Sequence, residues 1–333
     1  MARMPIQSDA PTDICVMGAS AGGVQTLQAV LRRLPADHAG TVLVVLHIGS
    51  EGPSLLPDIL GRVCALPCAA ARDGEPLAQG RVWVAPPNLH LRVDGDALAL
   101  DAGPRENGHR PSVDALFRSA AAVFGPRVLG IVLSGARDDG TAGLAEIKRA
   151  GGLAAVQDPE EALYPSMPRS ALEHVAVDAV APAAALGDLI ATAAVERRAA
   201  ARLGGGAALA PDVTGELLTV VCPECGGTLR EEQRAGVTTF ACHVGHRYTA
   251  GSLIDEQGTA IERALWTAAR ALEDRCLLLK DMAGRAERDG RGSTAASWRR
   301  RAAHAEQDVR VLRDALGRQA VFESGLPVLE TDS

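Results

Sequence analysis

Asp13 to Gly23 reads D-I-C-V-M-G-A-S-A-G-G, and the rest of the chain is read outward from it. A short apolar run, Ile14 to Met17, stops at Gly18; Ser20 follows among small residues, and Val24, Leu27, Val30 and Leu31 then recur at helical spacing. This is a strand, a tight turn and a helix. Such a turn lifts the Ser20 hydroxyl clear of a sheet edge. Gly22 and Gly23 let backbone N–H groups approach whatever docks there, beside the positive end of the helix dipole. A serine so placed is a nucleophile, an anion-binding residue or a simple helix cap.

The alternation continues to about Ala193. Strands are expected at Ile14–Met17, Val42–Leu46, Val82–Val84, Val128–Leu133, Leu153–Val156 and Val177–Val180. Helices are expected at Gly23–Leu34, Ser54–Val63, Ser112–Val123, Ala142–Ala150, Ser166–His174 and Ala184–Val195. Several strands are nearly continuous in Val, Leu and Ile, as when helices cover both faces of a sheet. The fold class is α/β, a doubly wound and mostly parallel sheet. Between Cys68 and Leu100 the rhythm breaks: Arg81–Pro86, Leu89–Val93 and Ala97–Leu100 read as short strands of an antiparallel excursion on one edge.

Composition limits the partners. The 333 residues are 47% hydrophobic with a formal net charge of -7, which argues against nucleic acid or an anionic membrane surface. No apolar run is long enough for membrane insertion, and Met1 to Thr12 lacks a signal-peptide core, so a cytoplasmic protein is expected. Seven cysteines, three of them clustered late, suit metal ligation in a reducing compartment better than a disulfide framework.

In an open α/β sheet, ligands bind outside the carboxyl ends of the strands. Ser20 follows the first strand, His47 ends the second, and Asp139 lies in the Ser134–Gly140 loop after Val128–Leu133. A nucleophile, a base and an acid that orients the base therefore share one edge. Serine attacks at neutral pH only when an imidazole takes its proton, and the imidazole works best with a carboxylate fixing its tautomer. Each residue also has an ordinary reading, as a cap, a partly buried histidine and a turn aspartate. A dinucleotide loop is the rival. The spacing is not G-x-G-x-x-G, and His47-Ile48-Gly49 stands where a ribose-binding acid belongs.

These residues resemble a known family, the CheB-type protein-glutamate methylesterases of bacterial chemotaxis. The matching blocks are G-A-S-A-G-G (18–23), V-V-L-H (44–47), A-P-P-N-L-H-L (85–91), R-P-S-V-D-A-L-F (110–117), L-S-G-A-R-D-D-G (133–140) and M-P-R-S-A (167–171). The resemblance implies Ser20 as nucleophile, His47 as general base and Asp139 as orienting acid, with oxyanion donors on the backbone of Ala21 and Ala136. It implies hydrolysis of glutamyl γ-methyl esters on chemoreceptor signalling helices, with deamidation of receptor glutamines as a related activity and no cofactor for catalysis. There are departures. Ala21 stands where Thr is expected, and Arg137 replaces a glycine of the usual G-M-G-x-D-G loop, adding bulk and charge. Only about a dozen residues precede the first strand, so the receiver domain that members usually carry is not expected.

Beyond residue 195 the chain changes character. Residues 196–211 are largely Ala, Arg and Gly and read as a linker. Cys222-Pro223-Glu224-Cys225 and Cys242-His243-Val244-Gly245-His246 then form a zinc-knuckle pattern in a module of residues 212–252. Cys222, Cys225, Cys242 and His246 are the expected ligands of a structural zinc, with His243 the alternative fourth. From 253 to 318 Ile261, Leu265, Ala268, Leu272 and Leu279 recur at helical spacing, Asp289–Gly292 interrupts, and Val309 and Leu312 resume. A helical hairpin is expected. Residues 1–12 and 319–333 are expected to be flexible ends, leaving 13–195 as the catalytic domain. Partners implied are methylated chemoreceptor helices and a receptor methyltransferase or separate response regulator. A non-catalytic scaffold binding receptors or the methyltransferase is the alternative.

Overall fold

A computed structural model describes residues 14–48, 54–200 and 215–323. The chain divides into two compact units, residues 1–254 and 255–333. The first contains β1 (Ile14–Ala19), α1 (Gly23–Leu31), β2 (Thr41–Leu46), α2 (Leu56–Gly61), β3 (Cys68–Ala70), β4 (Arg81–Val84), β5 (His90–Asp94), β6 (Ala97–Asp101) and α3 (Val113–Phe124). It continues through β7 (Val128–Val132), α4 (Thr141–Arg149), β8 (Leu153–Gln157), α5 (Ser166–His174), β9 (Ala179–Ala181) and α6 (Ala183–Ala200). Most of the expected elements form within a few residues of their expected ends.

Seven strands make one sheet in the order β3-β4-β2-β1-β7-β8-β9, every neighbour parallel. Both faces are covered, which is why the strands run apolar without alternation. Ile14 and Val16 of β1 pack with Leu116 and Phe117 of α3 and Leu144 of α4. Cys15 and Met17 turn the other way, to Leu27 and Leu31 of α1 and Leu186 of α6. The chain winds from β1 outward through β2 and returns to add β7 on the other side. The strand order therefore reverses between β1 and β7, which opens a crevice at their carboxyl ends.

The edge excursion is smaller than the sequence suggests. Arg81–Val84 pairs parallel with β2, and Cys68–Ala70 adds a further parallel strand beside it. Only β5 and β6 form an antiparallel hairpin, apart from the main sheet. The reason is burial: Trp83 packs into one core and Val82 and Val84 into the other, as a two-sided inner strand requires.

The first unit also holds an antiparallel sheet of β10 (Gly215–Val221), β11 (Thr228–Arg234), β12 (Val237–Cys242) and β13 (Arg247–Thr249). Its small core is Cys222, Leu229, Cys242, Tyr248 and Leu253. Of the segment expected as a linker, 196–200 continue α6, and 201–211 lie outside the described residues, as do 1–13 and 324–333.

Helix α7 (Ala250–Arg288) begins in the first unit, which holds its residues up to 254; in the second unit the rest of α7 and α8 (Gly292–Glu323) turn about Gly290, whose φ is 72°. Cys276 and Leu279 pack on Ala302 and Ala305, with Trp298 beside them. The buried positions of α7 run Ala269, Cys276, Leu279, Ala283 and Ala286, the seven-residue repeat of a coiled-coil seam. Ala268 and Ile261, expected on that stripe, are exposed; Leu265 and Leu272 are half-buried. Leu265, Leu272 and Leu279 keep their expected seven-residue spacing, and the second row of the seam is Ala269, Cys276 and Ala283, one position on from Ala268.

Candidate active site

The crevice is built by glycines. A Cβ on Gly18 would lie 2.2 Å from Cγ1 of Val113, and one on Gly140 would lie 2.8 Å from the same atom. Val113 opens α3, so these two glycines let the N-terminus of that helix settle over the ends of β1 and β7. Gly135 is equally constrained: its Cβ would fall 2.0 Å from Met167 Sδ and 2.9 Å from Ser20 Cβ.

Ser20 follows β1 directly. Its amide donates to Ser134 O at 2.9 Å, and its own carbonyl accepts from Gly23 N at 2.9 Å. Helix α1 starts after Gly22, at φ 73°, with no side-chain cap. The hydroxyl of Ser20 is therefore not spent on capping, which was its ordinary reading. Ser134 Oγ donates to Ala21 O at 2.8 Å and accepts from Tyr164 N at 3.0 Å, so it pins the peptide after Ser20.

His47 sits one residue beyond the pair Ala19 and Leu46 that ends the β1–β2 ladder, beside Ser20 across the two strands. Its Nε2 lies 2.8 Å from Asp139 Oδ2, and the pair is almost wholly buried, at 6% and 1% exposed. Its Nδ1 is buried without a partner among the described residues. With Nε2–H donated to the carboxylate, Nδ1 carries the free lone pair. The second ring beside it belongs to His109, stacked at 3.7 Å between centroids.

Asp139 gathers five donors. Oδ2 accepts from His47 and, at 2.7 Å, from Val113 N; Oδ1 accepts from Asn107 Nδ2 at 2.8 Å, Ser112 Oγ at 2.9 Å and Asp114 N at 3.1 Å. Burial would push this carboxyl up, but the hydrogen bond and charge of His47, with the Asn107 amide, hold it well below the usual carboxylate range. Asp114 goes the other way. It is buried beside Asp139 and accepts from Gly143 N and Asn107 Nδ2; burial first, then the charge of Asp139, raises it well above the usual range. Two buried carboxyls so close cannot both be charged cheaply, and Asp114 is the one pushed up.

Residues 15–190 match the family described as CheB methylesterase. The chain belongs to the CheB methylesterase family. It is 39% identical over 194 residues to a protein-glutamate methylesterase/protein-glutamine glutaminase of Koribacter versatilis, covering 57% of this chain and 53% of that protein. It is 40% identical over 166 residues to a putative enzyme of the same description from Leptospira interrogans, covering 50% and 86%. The chain thus spans about half the length of the first relative and most of the second. The catalytic domain of Thermotoga maritima CheB methylesterase superposes with a TM-score of 0.53 at 29% identity, over 54% of this chain and 97% of that one.

Within the CheB family frame, Arg137 stands out. Its φ is 66°, the left-handed region that favours glycine, so the usual glycine is explained and the arginine here is held against a cost of about 1 kcal/mol. Asp138 does not compete with Asp139: its carboxylate accepts from Ser252 N and Ser252 Oγ in the first turn of α7. Asn107, His109, Ser112, Asp114 and Ser134 were not singled out from sequence. Ser112 and Asp114 lie in the R-P-S-V-D-A-L-F block and Ser134 in the L-S-G block, yet nothing in their spacing marks them as ligands of Asp139 or of the Ser20 turn.

The cysteine cluster is a separate site. The ligand atoms of Cys222, Cys225, Cys242 and His246 all lie within 4.8 Å of one another. Cys225 and Cys242 sulfurs are 3.6 Å apart, and His246 Nδ1 is 3.5 Å from Cys242 Sγ and 3.6 Å from Cys222 Sγ. A tetrahedral zinc with sulfur ligands at about 2.3 Å needs edges of about this length. Glu224 holds the other face of the ring, 2.7 Å from His246 Nε2, as second partners of ligating histidines do. His243, the alternative ligand, instead lies over Gly227, whose Cβ would be 2.4 Å from its ring. The residues fit zinc.

Proposed function

We propose that this chain is a serine esterase that hydrolyses glutamyl γ-methyl esters on methylated chemoreceptor helices in the cytoplasm, and that it deamidates receptor glutamines by the same route. The observation that carries this reading is the buried His47 Nε2–Asp139 Oδ2 bond at 2.8 Å, with Nδ1 left without a partner among the described residues. Ser20 Oγ attacks the ester carbonyl while His47 Nδ1 takes its proton. The oxyanion of the tetrahedral intermediate meets the amides of Ala21 and Ala136. The imidazolium, stabilised by Asp139, protonates the departing methanol, or ammonia from a glutamine. Water then enters with His47 as base, and the acyl-serine is released as a glutamate carboxylate.

Cys222, Cys225, Cys242 and His246 hold a structural zinc in this reading. The ion stabilises a small sheet whose own core is only a few side chains. The receptor helix, and a methyltransferase or a separate response regulator, are the partners this assigns.

The test is methanol release from methylated receptor fragments by the parent, Ser20→Ala and His47→Ala. Turnover that both variants lose supports the esterase. A folded parent that binds receptor but releases no methanol, with pathway output unchanged in Ser20→Ala, would establish the scaffold instead.

A further inference from the structure

The strongest unexplained feature near the reacting groups is Asn107. It is 2% exposed, at φ 53°, and every polar atom of its side chain is committed. Its Nδ2 donates to Asp139 Oδ1 and to Asp114 Oδ2, both at 2.8 Å. Its Oδ1 accepts from Thr249 N at 2.9 Å, and its backbone N–H donates to Arg247 O at 2.7 Å. One amide therefore joins the carboxylate that orients His47 to the main chain of β13, the last strand of the cysteine-bearing sheet. Resting on the esterase reading, we infer that Asn107 is a positioning residue for the hydrolysis, and that the backbone of β13 sets its position.

The chemistry fixes the direction of the amide. Asp139 Oδ1 is a carboxylate oxygen, so only the NH2 group satisfies it; the carbonyl must then point away, and a donor must meet it. Thr249 meets it with its N–H at 2.9 Å and its Oγ1 at 3.4 Å. Without these two donors the Asn107 carbonyl would be buried and unsatisfied, and the amide would be free to rotate away from Asp139. A second contact acts beside the first. Ser252, three residues on, donates from its amide and hydroxyl to Asp138, the neighbour of Asp139 in the chain. The loop carrying the orienting acid is thus held from both sides by residues 247–252. The small sheet completes the catalytic geometry, and loosening it lowers turnover without touching substrate contacts.

The experiment uses the full chain and two changes. Asn107→Ala removes the link. Thr249→Pro removes both donors to Asn107 Oδ1, the amide and the Oγ1 hydroxyl, at a position after an extended residue and before a helix, where proline fits. The first readout is the NMR resonance of the His47 Nε2 proton shared with Asp139, which needs no substrate. Both variants should move or broaden it while thermal unfolding remains cooperative. Unmoved resonances in both would overturn the inference, whatever the substrate proves to be.

The second readout is kinetic, by methanol release and by the rate of Ser20 labelling with a fluorophosphonate. Each single change should lower kcat roughly 10- to 100-fold with KM nearly constant. In an Asn107→Ala background, Thr249→Pro should add almost nothing. Equal losses in both backgrounds would show that β13 acts by another route and would overturn the second half of the inference. Labelling that responds as expected in a protein that releases no methanol would leave this inference standing and remove the substrate assignment alone.

Discussion

The ring of His109 lies on the ring of His47, 3.7 Å between centroids and 15° between planes. Stacking of this kind fixes the plane of an imidazole whose two nitrogens have different tasks. Burial first, and the charge of His47 second, push His109 down to about 3, which favours its neutral ring near neutral pH. An aromatic ring should do the same job. His109→Phe keeps most of the turnover, while His109→Ala lowers kcat about tenfold through misplacement of His47. In an NMR titration the His109 ring resonances should show no protonation step near neutral pH. A step there would refute the neutral spacer.

A Cβ on Gly135 would press on both Met167 Sδ and Ser20 Cβ. Gly135→Ala pushes the Ser20 turn and the Met167 side chain apart and should cost roughly 1–3 kcal/mol of stability, as overpacking does. Activity should fall further than stability, because the added methyl displaces Ser20. Chemical unfolding set beside kcat decides this; an alanine variant with parental kcat would mean the turn yields freely.

Asp139 is held below the usual carboxylate range, so its contribution to stability has a defined sign with pH. It is fully present above the unfolded value of about 4 and is lost as pH falls toward the folded value. Asp114, raised by burial and by Asp139, contributes the other way: its part is greatest in acid and is lost as pH rises above about 4. The stability gap between the parent and Asp139→Asn should therefore shrink on acidification. The same substitution should lower kcat by roughly four orders of magnitude, through loss of the orienting acid. Urea unfolding across an acid series would expose a wrong sign as a gap that widens.

The metal site makes a separable claim. The protein should carry one zinc per chain, lost in Cys222→Ser and His246→Ala and retained in His243→Ala. Glu224→Gln should weaken zinc roughly 10- to 100-fold, since it frees the His246 ring. Metal analysis and competition with a coloured chelator measure both. Retention of zinc by His246→Ala would return His243 to the ligand set.

The local pattern carried much of this. Ser20, His47 and Asp139 each follow a continuous apolar strand, so a strand-end reading singled out all three as candidates. Cysteine spacing marked the metal cluster for the same reason: ligands on tight turns are close in sequence. Asn107, His109, Ser112 and Asp114 were different. They lie between β6 and the first turn of α3 and gain meaning only when α3 docks over β1 and β7 through Gly18 and Gly140. The edge strand Cys68–Ala70 was missed because it is short and partly exposed, with no apolar run to announce it.

Hydrophobic period and residue type alone determined the α/β class, the parallel strands and the chemical identity of the candidate nucleophile, base and acid, because these depend on neighbours a few residues away. Tertiary structure alone decided which ring nitrogen of His47 meets Asp139, which of two carboxyls burial pushes up, which histidine faces the sulfurs, and that Thr249 reaches Asn107 across 142 residues. Those outcomes depend on desolvation and on hydrogen-bond partners from distant segments, and neither exists until the chain has packed.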